Sequence, residues 1–119
     1  MIQVDVALDA AGLLSSCRVS GHAGAGKRGD DVVCAAVSVL SRALVRALAG
    51  KRGVTFRGDM PEQGNFWVEV EYTSEGRDFL AGAGSFFIEG ILSVSAEFPK
   101  HCKVTIDGCF KSPDIEAAT

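Results

Sequence analysis

Thiols and imidazoles are few in this 119-residue chain, and their positions limit the chemistry open to it: Cys17, Cys34, Cys102, Cys109, His22 and His101. No two cysteines are spaced C-x-x-C, so neither a zinc ribbon nor a dithiol redox pair is written here, and no metal site or cofactor is expected. His22 and Cys34 stand twelve residues apart across a glycine-rich segment, with Gly21, Gly24, Gly26 and Gly29 between a strand pattern and a helix pattern. A cysteine in the first turn of a helix meets free N–H groups and the positive end of the peptide dipoles, which favour thiolate over thiol. An imidazole folded back over that turn would share the thiol proton, making sulfur the nucleophile and imidazolium the later proton donor. The plainer reading is that Cys34 extends the apolar run Val32 to Val37 and that His22 is a solvated loop side chain. Asp31 either orients the imidazole as a third group or caps the helix.

Two nucleotide-binding patterns also overlie the loop. Gly24, Gly26 and Gly29 fit G-x-G-x-x-G, but the preceding strand closes a hairpin, and the βαβ setting with its downstream acidic residue is missing. Gly21 to Lys27 fits G-x-x-x-x-G-K, yet Arg28 stands where a Ser or Thr must hold magnesium. Neither pattern carries a function.

The elements that must position the pair follow from periodicity. Ile2, Val4, Val6 and Leu8 alternate with Gln3, Asp5 and Ala7, and Asp9 to Gly12 make a turn before a second strand over Leu13–Ser20. Residues 21–30 are too glycine-rich for regular structure. Val33, Val37, Leu40, Leu44 and Leu48 predict a helix over Asp31–Ala49. With Leu40 as the middle of its stripe, Cys34 lies roughly 120° away at about 100° per residue, on the polar border beside Ser38 and Ser41. A short strand over Val54–Arg57, a clear one over Phe66–Tyr72, a second helix over Glu75–Glu97 and a last strand from His101 complete the order. Gly82, Gly84 and Gly90 weaken the second helix, or else let the first helix or a second subunit approach it closely. Cys17 and Cys102 fall on apolar strand faces and read as core. The architecture expected is α+β in two layers: two helices on one face of a four- or five-stranded antiparallel or mixed sheet.

The length suits one domain, taken as residues 1–110 with a loose tail over 111–119. Hydrophobic residues at 47% exclude a disordered chain. Twelve Lys and Arg against fifteen Asp and Glu give a net charge of −3, and seven Phe, one Tyr and one Trp are few for base stacking, so no direct nucleic-acid partner is expected. Met1 to Ala10 lack the basic start and apolar run of a signal peptide, and no stretch reaches the roughly 18 uncharged apolar residues of a membrane span. A cytoplasmic protein with reduced thiols and no membrane partner is expected.

Gly21-His22-Ala23-Gly24, then Gly29, then Asp31-Val32-Val33-Cys34-Ala35-Ala36-Val37-Ser38 resembles the signature of the Prp, or YsxB-like, family of ribosomal-processing cysteine proteases. Gly84 to Val104, with Phe87-Ile88-Glu89-Gly90 and Phe98-Pro99, is similar to the family's second helix and final strand. The resemblance implies His22 and Cys34 as the catalytic dyad, Asp31 and Ser38 as supporting positions, and a flap containing Gly21, Gly24, Gly26 and Gly29 that orders around an extended peptide. It also implies a homodimer and, as substrate, the N-terminal extension of large-subunit ribosomal protein twenty-seven. Lys27 and Arg28 stand where the family more often has acidic or aromatic residues. The alternative reading is a non-proteolytic, ribosome-associated or ribosome-assembly interaction module with an incidental thiol.

Overall fold

Period-two alternation builds a five-stranded sheet whose two faces differ in chemistry. The computed structural model describes residues 1–21, 28–60 and 65–108, with residues 28–31 described by backbone alone. The strands are β1 (Ile2–Leu8), β2 (Leu14–Ser20), β3 (Val54–Asp59), β4 (Phe66–Tyr72) and β5 (Cys102–Asp107), in the spatial order β3-β4-β2-β1-β5. All neighbours are antiparallel except β1 and β5, which run parallel, with Val4 opposite Val104. The sheet is therefore mixed.

Registration lines up Val104, Val4, Val19 and Phe66 across four strands, and Ile106, Val6, Cys17 and Val68 in the next row. These rows face the helices and form the core together with Ile2, Leu14, Cys102 and Val70. Cys17 and Cys102 are each 1% exposed, so both core expectations hold. The other face carries Asp5, Arg18, Trp67, Glu69 and Thr105. A register shift between Ala7 and Leu8 lets both Leu13 and Leu14 enter the core, so the second strand starts one residue later than periodicity alone suggests.

The helices are α1 (Arg28–Leu48) and α2 (Arg77–Glu97), the latter entered through a 3₁₀ turn over Ser74–Gly76. They pack on each other and on the same side of the sheet, α1 against β1 and β3, α2 against β2 and β5. This is the α+β two-layer architecture, with five strands.

The glycines of α2 are compatible with a helix because two of them sit where another element comes close. A Cβ on Gly84 would lie 3.2 Å from Leu14 Cβ, and one on Gly90 would lie 3.0 Å from Leu40 Cδ2. The close neighbours are thus β2 and α1. Residues 74–97 are also long and apolar enough to cross a membrane, with 28% of the most apolar stretch buried; here Leu80, Phe87, Ile88 and Ile91 anchor that helix on the sheet.

One boundary moves in a way that bears on the site. α1 begins at Arg28, not Asp31, so Gly29, Asp30 and Asp31 belong to its first turn and not to an irregular loop or a cap. Glycine costs about 1 kcal/mol relative to alanine in a helix interior, but a first turn has no bonded N–H groups to lose, and two acidic residues there complement the dipole.

Candidate active site

Where β2 ends, the backbone is forced toward the glycine segment. Gly21 has φ +84°, and any Cβ there would run into the Met1 carbonyl, so the position accepts glycine alone without strain. The next residues, 22–27, which include His22, Gly24 and Gly26, lie outside the described residues. So do the side chains of Arg28, Asp30 and Asp31, and all of residues 61–64 and 109–119, the last of which include Cys109 and the expected tail.

Cys34 is described, and the structure corrects its expected setting twice. It is the seventh residue of α1, hence in the second turn. The dipole's influence falls off within the first turn, so the helix terminus contributes less to thiolate formation than a first-turn position would. Its side chain is also 2% exposed and part of the core cluster, not on a polar border. The cause is the centre of the stripe. Among the described side chains of α1 the buried ones are Val33, Cys34, Val37, Ser41, Leu44 and Leu48, which centres the stripe near Val37 and leaves Leu40 half-buried to one side, toward α2. Measured from Val37, Cys34 is only about 60° off at roughly 100° per residue.

Along that side of α1 runs a row spaced by four, three and four residues: Cys34, Ser38, Ser41 and Val45. It faces β3 and β4. Ser38 is half-buried and, with Val37 and Ser41, lines a small cavity closed by Val19, Met60, Asn65 and Phe66. The cavity holds about 10 Å³, the size of a single water. Ser41 is 1% exposed, and its Oγ has no hydrogen-bond partner among the described residues. Sequence reasoning noted Ser41 beside Cys34 but gave it no role, because the centring on Leu40 put it at the border.

Cys17, Cys34 and Cys102 are free thiols. Burial pushes the Cys17 thiol up to about 12, with Asp5 adding to the shift, and burial raises Cys102 as well. Neither is suited to nucleophilic work. His101 is half-buried in the turn before β5, and its carbonyl accepts the Ile2 N–H at 2.8 Å.

Two larger depressions lie away from this row. One of about 570 Å³ opens on the polar sheet face among Asp5, Arg18, Trp67, Glu69 and Asp107, with the sheet between it and α1. The other, about 480 Å³, is apolar and lies between α1 and α2 on their outer side, beside Phe79, Ala83 and Phe86.

This frame recurs in proteins of known structure. Solved structures share it: the essential ribosomal processing protease Prp from S. aureus in complex with a substrate peptide, at TM-score 0.75 and 19% identity, covers 90% of this chain and 100% of that one. The same S. aureus protease with a covalently linked product peptide aligns at TM-score 0.73 and 20% identity over 90% of this chain and 100% of that one. A Streptococcus mutans protein aligns at TM-score 0.72 and 30% identity over 90% of this chain and 94% of that one. No curated protein matches significantly. The match to the family described as cysteine protease Prp runs over residues 1–103, from β1 through the glycine segment and Cys34 into β5. The chain belongs to the Prp cysteine protease family.

Proposed function

We propose that the chain is an endopeptidase in which Cys34 is the nucleophile and His22 the general base and acid. The observation that carries this reading is the family match, which spans both residues together with the helix that holds the cysteine. In the first step the imidazole takes the thiol proton, sulfur adds to the scissile carbonyl, and collapse of the tetrahedral intermediate expels the amine, which leaves with the proton from imidazolium. Water, activated by the same imidazole, then hydrolyses the thioester and restores the thiol.

Because Cys34 lies in the second turn, activation of its sulfur rests mainly on the imidazole and less on the helix dipole. A helical Cα–Cβ bond leans toward the N-terminus, so the sulfur stands over the preceding turn, whose free N–H groups are suited to hold the oxyanion. Gly24, Gly26 and Gly29 accompany Gly21 as substrate-segment positions, and Asp31 and Ser38 support the dyad. With Cys34 almost wholly buried, substrate must displace its cover to reach the sulfur.

The substrate in this reading is the N-terminal extension of large-subunit ribosomal protein twenty-seven, met in the cytoplasm, with no metal or cofactor taking part. A homodimer is part of the proposal. Phe86, 78% exposed, lines the apolar cleft between the two helices, Val39 on α1 is 61% exposed, and a second copy of the chain would cover them.

Incubating that ribosomal protein with the wild-type chain and with Cys34→Ala, and reading its N-terminus by mass spectrometry, tests the substrate and the nucleophile together. Shortening by the wild type alone is expected. The burial of Cys34 favours a second reading, an interaction module whose thiol is incidental; under it neither protein shortens the substrate, and Cys34→Ala leaves ribosome association intact.

A further inference from the structure

We propose that the groove between α1 and the β3–β4 edge is a specificity subsite that takes an apolar substrate side chain with an acidic neighbour, four to six residues from the scissile bond. The proposal rests on Cys34 as the nucleophile.

The cavity beside Ser38 and Ser41 shares Met60 and Phe66 with a wider one of about 340 Å³, whose apolar walls also include Val45 and Phe56. Ser38 and Ser41 thus line the small cavity and Val45 the apolar cleft beyond it, with Cys34 one helical turn before Ser38 on the same side of α1. The cleft's volume falls within the range of ligand pockets and is ample for one large aliphatic or aromatic side chain.

Charge fixes the second part of the specificity. Arg42 and Arg46 stand on the rim, both exposed, and neither has an ion-pair partner among the described residues. Other arginines do have one: Arg57 pairs with Glu69 at 2.6 Å and Arg52 with Glu75 at 3.3 Å. Asp59 is the one carboxylate in the described lining, so the groove keeps a positive excess. In a chain whose net charge is −3, the described lining of this groove thus carries one positive charge more than negative.

Distance sets the register. Arg42 and Arg46 lie eight and twelve residues beyond Cys34, or about 12 and 18 Å along the helix at ~1.5 Å per residue. An extended peptide advances about 3.3 Å per residue, so it reaches the groove four to six residues from the bond under attack.

Internally quenched peptides, randomised at those positions on both sides of the cleaved bond, test this with the full chain. Wild type is expected to favour Phe, Leu or Met beside Asp or Glu on one side. The double variant Arg42→Glu/Arg46→Glu, checked by circular dichroism, is expected to move the kcat/KM ratio of acidic to lysine-bearing peptides at least tenfold toward lysine. The singles Arg42→Gln and Arg46→Gln give smaller shifts of the same sign and stand in if the double variant misfolds. Arg52→Glu, remote from the groove, is expected to leave the ratio unchanged. Cleavage whose ratio ignores Arg42 and Arg46, or follows Arg52 equally, overturns the subsite and leaves the protease reading intact. No cleavage beyond that of Cys34→Ala brings down both.

Discussion

Tyr72, the last residue of β4, donates its hydroxyl to Asp9 Oδ2 at 2.5 Å, tying the end of one strand to the turn between β1 and β2. The other carboxylate oxygen accepts the N–H groups of Ala11 and Leu13, each at 2.9 Å, so one side chain shapes the turn and receives the tether. The Tyr72 bond, with the two backbone bonds, holds the Asp9 carboxyl below its ordinary value, and the same bond raises the phenol. The signs run in opposite directions. The carboxylate contributes stability above its unfolded pKa and loses it as pH falls through the lower folded value; the protonated phenol contributes below its unfolded pKa and loses it as pH rises through the higher folded value. Tyr72→Phe is expected to flatten the alkaline limb of a Tm-against-pH curve and to raise the Asp9 pKa seen by NMR. An unchanged Asp9 titration would show that the tether contributes nothing.

Ser41 offers a test in which removing a polar group strengthens the fold. Its hydroxyl is buried without a partner among the described residues, and a buried unsatisfied group costs about 1–3 kcal/mol. Ser41→Ala is expected to raise unfolding free energy by roughly 1 kcal/mol in urea titrations. A loss of stability instead would mean that a water in the small cavity satisfies the hydroxyl.

The thiols should separate by reactivity. With a pKa of about 12, Cys17 is ionised to roughly one part in ten thousand at pH 8, so iodoacetamide should leave it untouched in the folded protein. If His22 activates Cys34, its labelling, followed by peptide mass mapping, should outpace that of Cys17 and Cys102 and drop by at least tenfold in His22→Ala. Equal labelling of the three thiols would argue against the dyad.

Gly21 is the backbone joint through which the chain leaves β2. A non-glycine residue in a left-handed conformation costs on the order of 1–3 kcal/mol, and here the added Cβ also meets the Met1 carbonyl. Gly21→Ala should lower stability by at least that much and reduce peptide cleavage further than the stability loss accounts for. Gly82, in contrast, has open space around it inside α2, and Gly82→Ala should stabilise by about 1 kcal/mol through helix propensity. Thermal melts of the two variants side by side check both signs.

The sheet was legible because its strands alternate cleanly: Phe66 to Tyr72 and Ile2 to Leu8 are found with the bounds their patterns imply. Parallel pairing of β1 with β5 was not, since nothing local in Cys102 to Asp107 encodes which edge of the sheet it joins. The start of α1 was hidden by Gly29, whose low propensity masks a first turn that the adjoining acidic residues support. The setting of Cys34 depended on which residue centres the apolar stripe. Leu40 is the larger side chain, but α2 draws it aside, and that tertiary fact is absent from periodicity. The row Cys34, Ser38, Ser41, Val45 was visible as spacing; only the placement of β3 and β4 turns it into the wall of a groove.

Parallel pairing of the first strand with the last has a consequence for synthesis. Val4 waits for Val104 across about one hundred residues, among the most distant contacts such a chain can make, and contacts of that separation form late. The helix bearing Cys34 leaves the ribosome long before β5 completes the sheet beneath it. A nascent chain of this protein therefore carries its thiol without the finished platform, and a peptide-cutting activity built on that platform comes into being only after nearly all of the described residues have been made.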